Sequence, residues 1–315
     1  MTLKAGWKQI SGMAAALALA GPAWADTYNT TKDPQLTPPP VTGAPSLETL
    51  NLAEDSVSRL TVPVMINGQG PFPFVIDTGA DRTVISRELA TQLKLPPGPR
   101  AELHGAAGVV DVDTAVISSL EVGSRTVERI SAPLLAARDL GAMGMLGVDS
   151  LHDQQIVLDF KTRQLIAVPS RREAQEPGAI VVHGKFRFGQ LILMDARVRG
   201  VSMFVILDSG AQNSIGNPTL RRLLTRGDQP SDQFTTTEVI SVTGQTTPAE
   251  FQTVPEVTIG GLTVKNMPLA FAQLHTFDVF GMSNQPAMLL GMDILSHFRR
   301  VTIDFKRREA TFTIY

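Results

Sequence analysis

Beyond residue 58 the chain is written in short runs of alternating apolar and polar residues, punctuated by Gly, Pro, Asn and Asp. That is the pattern of many short strands joined by turns. Thr61–Ile66 carries the two-residue period of a half-buried strand, and Asn67-Gly68 is a tight hairpin turn. Gly70-Pro71 leads into the apolar Phe72–Ile76, a strand that ends on Asp77. Ser86–Leu95 reads as a short helix behind a serine N-cap. His104–Thr114 is glycine-bearing and β-like, as a mobile hairpin would be. Ile156–Val168 reads as a further hairpin that turns at Asp159-Phe160-Lys161.

The same series then recurs in the same order. Leu191–Val198 with Gly200 matches the first hairpin, and Phe204–Leu207 ends on Asp208. Asn217–Leu224 is a short helix, and Ser241-Val242-Thr243-Gly244 a hairpin tip. Met288–Asp293 echoes Met143–Asp149, and Asp304-Phe305-Lys306 echoes Asp159-Phe160-Lys161. The pattern divides the chain into a segment 1–25, a proline-rich linker 26–50, an N-terminal lobe 51–170, a charged linker 171–179 and a C-terminal lobe 180–315. Both lobes are expected to be all-β.

Segment 1–25 has a basic start (Lys4, Lys8), an apolar run from Ile10 to Ala20 and a small-x-small Ala23-Trp24-Ala25. It reads as a secretory signal peptide cut after Ala25, since the apolar run is too short to span a bilayer. Cleavage removes two lysines and no acids, taking the net charge from −2 to −4. Residues 26–46 are polar and rich in proline, with no expected regular element, and extend or tether. A pI near 6.2 gives no electrostatic footprint for nucleic acid, and Arg221-Arg222 and Arg299-Arg300 read as solvated surface. The absence of cysteine excludes disulfides, thiolate metal sites and a Cys nucleophile. The five histidines, His104, His152, His183, His275 and His297, show no paired ligand spacing, so no metal or cofactor is expected. No Ser lies in a GxSxG elbow.

The chemistry-bearing repeat is FVIDTGADRTVIS at 74–86 and FVILDSGAQNSI at 204–215. One Asp-Thr-Gly alone is an ordinary turn. Two copies, each behind an apolar strand and each followed by a late Leu-Gly, specify paired carboxylates. The first copy resembles the active-site segment of retroviral-type aspartic proteases, including the Ala80-Asp81 after the Gly. Met145-Leu146-Gly147 and Leu289-Leu290-Gly291 resemble the family's second signature of two apolar residues and a Gly. The resemblance covers about residues 58–315, twice over, and implies a bilobal fold of two retropepsin-like β-barrel lobes fused as in pepsin-like enzymes. It implies Asp77 and Asp208 as a catalytic pair in a cleft between the lobes. Thr78 and Ser209 would lock the two loops together. Gly79 and Gly210 would let backbone pass close to the carboxylates, with Ala80 and Ala211 completing the loops. The hairpins bearing Gly105, Gly108 and Gly244 would be flaps. Asp81 stands between a substrate contact and a purely local role, since the second copy has Gln212 there. Asp149 and Asp293, which follow the Leu-Gly signatures, read as helix-starting or surface residues.

Two departures matter. Pepsin-like enzymes carry a flap tyrosine, and behind the signal segment only Tyr28 and Tyr315 remain, neither of which can fill that place. Ala80 and Ala211 stand where many acid-adapted relatives have a hydroxyl, so activity is expected at mildly acidic to neutral pH. The expected function is an exported, periplasmic or secreted, monomeric aspartic endopeptidase acting on extended polypeptide substrates. Neither nucleic acid nor stable membrane insertion is expected. A catalytically silent peptide-binding protein and a cell-envelope structural or adhesion protein on the same fold are the alternatives.

Overall fold

The computed structural model describes residues 59–315 except 124, 152–153, 171–175, 177, 188–189 and 226–233. Ahead of these it describes the short strands Ala18–Ala20, Val41–Thr42, Glu48–Asn51 and Ala53–Glu54. The protein is all-β, with two barrels of the same design. In the first, six strands run in the order Thr114–Val122, Arg125–Leu135, Val84–Ser86, Gly144–Leu146, Gln69–Ile76 and Leu60–Ile66, and the last pairs back with the first. In the second the order is Thr246–Ile259, Leu262–Ala272, Ile215–Gly216, Ala287–Leu290, Val201–Leu207 and Gln190–Val198, again closing on the first. Closure leaves neither barrel with an open edge among these strands.

Alternation along Leu60–Ile66 turns Leu60, Val62, Val64 and Ile66 inward. Phe74 and Ile76 of the next strand meet them across the barrel core. In each lobe the strand that ends in Asp pairs in parallel with the strand that ends in Leu-Gly, Phe74↔Gly144 and Phe204↔Ala287. That pairing brings the two signatures of each lobe to one end of its barrel. The short helices Arg87–Gln92 and Pro218–Leu224 follow, and Ser86 and Asn217 cap them by accepting from the amides of Leu89 and Leu220.

A third sheet joins the lobes. Gln154–Asp159 of the first lobe pairs antiparallel with Arg300–Asp304 of the second, flanked by Gln164–Pro169 on one side and by Glu309–Thr313 and Ile180–Arg187 on the other. Its apolar face belongs to the same core that fills both barrels. The two Asp-Phe-Lys landmarks are its hairpin turns: Asp159 Oδ1 accepts from the Thr162 amide at 2.8 Å and Asp304 Oδ1 from the Arg307 amide at 2.8 Å.

Two sequence expectations are corrected here. Residues 26–46, expected to hold no regular element, include the strand Val41–Thr42, and a further strand stands just beyond them. Glu48–Asn51 extends the interlobe sheet by pairing with Gln164–Ala167, and Val41–Thr42 pairs with Thr126 and Val127. Both stretches lack proline, and each finds strand-edge groups that need partners. Arg299-Arg300 is not simply solvated either. Arg299 binds Glu176, while Arg300 binds Asp159 at 2.9 Å and Glu176 as well, tying the charged linker to the interlobe sheet. Within segment 1–25, Ala18–Ala20 pairs with Glu102–His104. The cleavage point expected after Ala25 lies outside the described residues, as do 43–47 of the linker and His152.

Candidate active site

Each Asp loop is held from beneath by its own lobe. The Asp77 amide donates to the Leu146 carbonyl at 3.0 Å and the Asp208 amide to that of Leu290 at 3.1 Å. The carbonyls of Ala80 and Ala211 accept from Val148 and Met292 at 2.8 and 2.9 Å. Gly147 and Gly291 are needed for this approach. A Cβ on Gly147 would lie 2.5 Å from the Arg82 carbonyl carbon, and one on Gly291 2.7 Å from that of Asn213.

The loops then engage each other across the lobe boundary. Thr78 Oγ1 donates to the Leu207 carbonyl at 3.0 Å, and Ser209 Oγ to the Ile76 carbonyl at 2.8 Å. Each hydroxyl in turn accepts the other residue's amide, both at 3.1 Å. Shared this way, the four bonds leave little freedom in either loop. Asp77 and Asp208 meet at the centre, both buried and hydrogen-bonded to one another through their carboxyls. Asp77 Oδ1 accepts from the Gly79 amide at 2.7 Å. Asp208 Oδ1 accepts from the amides of Gly210 and Ala211, both at 3.0 Å. Gly210 lies flat against Asp77, where an added Cβ would fall 2.2 Å from Asp77 Cγ. Burial, and next the charge of Asp208, push the Asp77 carboxyl well above the usual carboxylate range, against the pull of the Gly79 amide and Arg59. Such a pair holds one proton between two carboxyls, because like charges in contact cannot both be ionised.

Asp149 and Asp293 are corrected by the structure. Each does open a short helical turn, Val148–Ser150 and Met292–Leu295, but neither is a surface residue serving that turn alone. Asp149 accepts from the amide and hydroxyl of Thr83 at 3.1 and 2.7 Å, and Asp293 from those of Ser214 at 3.0 and 2.7 Å. The same hydroxyls accept from the amides of Gly147 and Gly291. The signal was in the sequence: Thr83 and Ser214 each stand six residues after the loop Asp, and Asp149 and Asp293 each two after the Gly. Desolvation raises the carboxyl of Asp293 to about 6. A carboxyl raised by folding gives its full stabilisation below its unfolded value and loses it as pH rises through the folded one. Wild-type stability is therefore expected to fall by roughly 3 kcal/mol through this group as pH rises from about 4 to 6. Asp293→Asn should flatten that window in urea unfolding.

The two hairpins meet and exchange tips. The strands Ala101–Gly105 and Gly108–Val112 carry Ala106 into an apolar cluster of the second lobe with Leu274, Phe277 and Phe280. Val242, on the turn after Thr235–Ile240, enters a cluster of the first lobe with Ala80, Leu103 and Leu140. Gly105 packs on the opposite tip, its Cβ position 3.1 Å from Ser241 Oγ. Gly108 (φ +146°) and Gly244 (φ +79°) supply the backbone turns, and Gly244 faces Asp139 of the first lobe. Asp81, four residues after Asp77, is buried as well.

The histidines of the tips form a pair that spacing could not reveal. His104 Nδ1 and His275 Nε2 are 2.9 Å apart with rings stacked, and the Ala106 carbonyl accepts from the His275 amide at 2.8 Å. Glu102 sits on the far nitrogen of His104. Burial and then the neighbouring His104 lower the proton affinity of His275, while Asp278 opposes them. A base lowered by folding loses its contribution as pH falls below its unfolded value, about 6.5 for His. Hydrogen exchange of residues 103–109, corrected for intrinsic rate, should therefore speed up between about pH 7.5 and 5. His275→Phe should abolish that pH dependence.

Arg59 and Gln190 also escaped the sequence reading. Both are buried, and each reaches into the opposite lobe. Arg59 Nη1 donates to the Gly210 carbonyl at 3.3 Å, and Gln190 Nε2 donates to that of Gly79. They stand eighteen residues before Asp77 and Asp208 respectively, a matched offset that the repeat itself could have disclosed. Among the described residues no three His, Asp or Glu gather as a metal site.

Comparison with family models finds a gag-polyprotein putative aspartyl protease domain over residues 62–153 and an aspartyl protease domain over residues 194–294. No curated protein matches the chain.

Proposed function

Since the chain belongs to the retropepsin-like aspartyl protease families, with one such domain in each lobe, we propose that it is an aspartic endopeptidase. The observation that carries this reading is the buried contact of Asp77 with Asp208, one carboxyl from each lobe. A pair sharing one proton supplies both functions that peptide hydrolysis needs. Its ionised member takes a proton from a water, whose oxygen attacks the peptide carbonyl. Its protonated member donates to the carbonyl oxygen. Collapse of the intermediate releases the amine after proton transfer to nitrogen, and no bond to the protein forms. The cross-lobe bonds of Thr78 and Ser209 hold the pair in register, so no reorganisation is needed as the charge moves.

The substrate in this reading is an extended polypeptide lying between the loops and the two hairpins, bound through main-chain hydrogen bonds. The protein acts as a monomer, because one chain supplies both carboxyls. The basic, apolar, small-x-small start of the chain supports export. The raised proton affinity of Asp77 keeps the singly protonated form present toward neutral pH, supporting an optimum at mildly acidic to neutral pH. Digestion of a peptide library across pH, with and without a statine-type inhibitor, tests the proposal. Inhibitor-sensitive cleavage is expected. Binding without cleavage at every pH, or a maximum of kcat/KM below about pH 3.5, counts against it.

A further inference from the structure

The two loops are bound alike but not charged alike. Among the described residues, Arg59 is one of the largest fully buried side chains. One guanidinium nitrogen donates to the Leu140 carbonyl of its own lobe and another to the Gly210 carbonyl of the opposite lobe. Its two-fold counterpart, Gln190, makes the equivalent bond to Gly79 with a neutral amide. What lies behind each carbonyl differs too. The peptide whose oxygen Arg59 holds is Gly210–Ala211, and its N–H donates to Asp208 Oδ1 at 3.0 Å as well as to the main-chain oxygen of Asp208 at 3.3 Å. The peptide that Gln190 holds is Gly79–Ala80, and its N–H donates to the main-chain oxygen of Asp77 at 3.4 Å. Asp208 thus receives two amide donors on one oxygen, one of them polarised by a cation. Asp77 receives the Gly79 amide alone from its own loop.

A guanidinium stays charged at any pH a protein survives, and a buried cation is stable only near a buried anion. Hydrogen bonds in series polarise one another. On this basis, and resting on the endopeptidase reading above, we propose that Arg59 is a positioning residue for the proton of the pair: through the Gly210–Ala211 peptide it makes Asp208 the resident anion and leaves the shared proton on Asp77. Asp208 then accepts the proton of the attacking water, and Asp77 gives its own to the substrate carbonyl.

The surrounding charges agree. Asp149 and Asp293 are turned to Thr83 and Ser214, Asp139 faces Gly244, and Asp81 lies buried beyond Ala80. Among these groups Arg59 alone is a cation. Its direct field also acts on Asp77, in the opposing sense, but that is the least of the influences named on that carboxyl, behind burial, Asp208 and the Gly79 amide.

Carboxyl-carbon NMR of the ligand-free protein, titrated between about pH 3 and 8, tests this without any substrate. Asp208 is expected to carry the lower step and Asp77 the upper. Arg59→Gln copies the side chain that already makes this bond in the other lobe. It should raise the lower step by about one unit and carry the acidic limb of kcat/KM upward with it. Arg59→Lys, which keeps the charge, should hold both near wild type. The proposal is overturned if Asp77 carries the lower step, if Arg59→Gln leaves that step in place, or if Arg59→Lys shifts it as far as Gln does. Should Arg59→Gln not fold, the order of the wild-type steps still decides. Peptides left uncut by a protein whose carboxyls titrate in the stated order would remove the endopeptidase reading and leave the proton assignment standing.

Discussion

Replacing either Asp77 or Asp208 by Asn is expected to lower peptide cleavage by about 10⁴-fold, because each substitution removes the proton traffic of the whole pair. Neither should unfold the protein. The cross-lobe bonds belong to Thr78, Ser209 and the main chain rather than to the carboxyls. Asn at 77 resembles the protonated acid in shape and can still accept from the Gly79 amide. It also removes the cost of keeping a proton on Asp77 at a pH where an ordinary carboxyl is ionised, since two carboxyls in contact cannot both be charged. The melting temperature of Asp77→Asn at neutral pH should therefore equal or exceed that of wild type while kcat/KM collapses. A variant that cuts within tenfold of wild type would sink the shared-proton mechanism.

Gly210→Ala is the second large effect. One methyl group placed 2.2 Å from Asp77 Cγ, 2.3 Å from one carboxyl oxygen and 2.6 Å from the other cannot be accommodated by a small shift. Asp77 has no free direction, being fixed by the Gly79 amide on one side and Asp208 on the other. The backbone of residue 210 is equally fixed, since its amide holds Asp208 and its carbonyl holds Arg59. Expected losses are about 10²-fold or more in kcat and about 1–3 kcal/mol of stability from overpacking. Gly261→Ala, where an added Cβ meets nothing within 4 Å, is the control and should be close to neutral in both measurements. Equal behaviour of the two variants would mean that the loops have slack the contacts do not show.

How much of this was legible in the sequence follows from what periodicity encodes. A two-residue period says which face of a strand is buried, so the run Thr61–Ile66 and its hairpin partner were readable. Ser86 and Asn217 were readable as caps for the same local reason. Repetition supplied the rest of the candidate site, since two Asp-hydroxyl-Gly-Ala segments in matching contexts imply one another. Periodicity does not say what lies across a gap. Arg59 meets Gly210 at a separation of 151 residues, Gln190 meets Gly79 at 111 and His104 meets His275 at 171. These contacts join side chains that look unremarkable in their own neighbourhoods. The linker strand Glu48–Asn51 was missed because its order comes from the sheet edge that receives it, not from its own pattern.

The interlobe sheet sets a timetable as well as a shape. Asp159 finds Arg300 only after 141 further residues have been made, and strand Gln154–Asp159 waits equally long for Arg300–Asp304 on its open edge. During synthesis the first lobe therefore emerges with an unsatisfied strand edge and half of a carboxyl pair. Both deficits are met late, the carboxyl when Asp208 arrives and the edge when the strand ending at Asp304 arrives. A chain stopped at Leu295 would carry both aspartates and both hairpins, yet lack the strand that clamps the lobes into register. On the endopeptidase reading proposed above, the capacity to cut would therefore arise at the end of synthesis rather than midway.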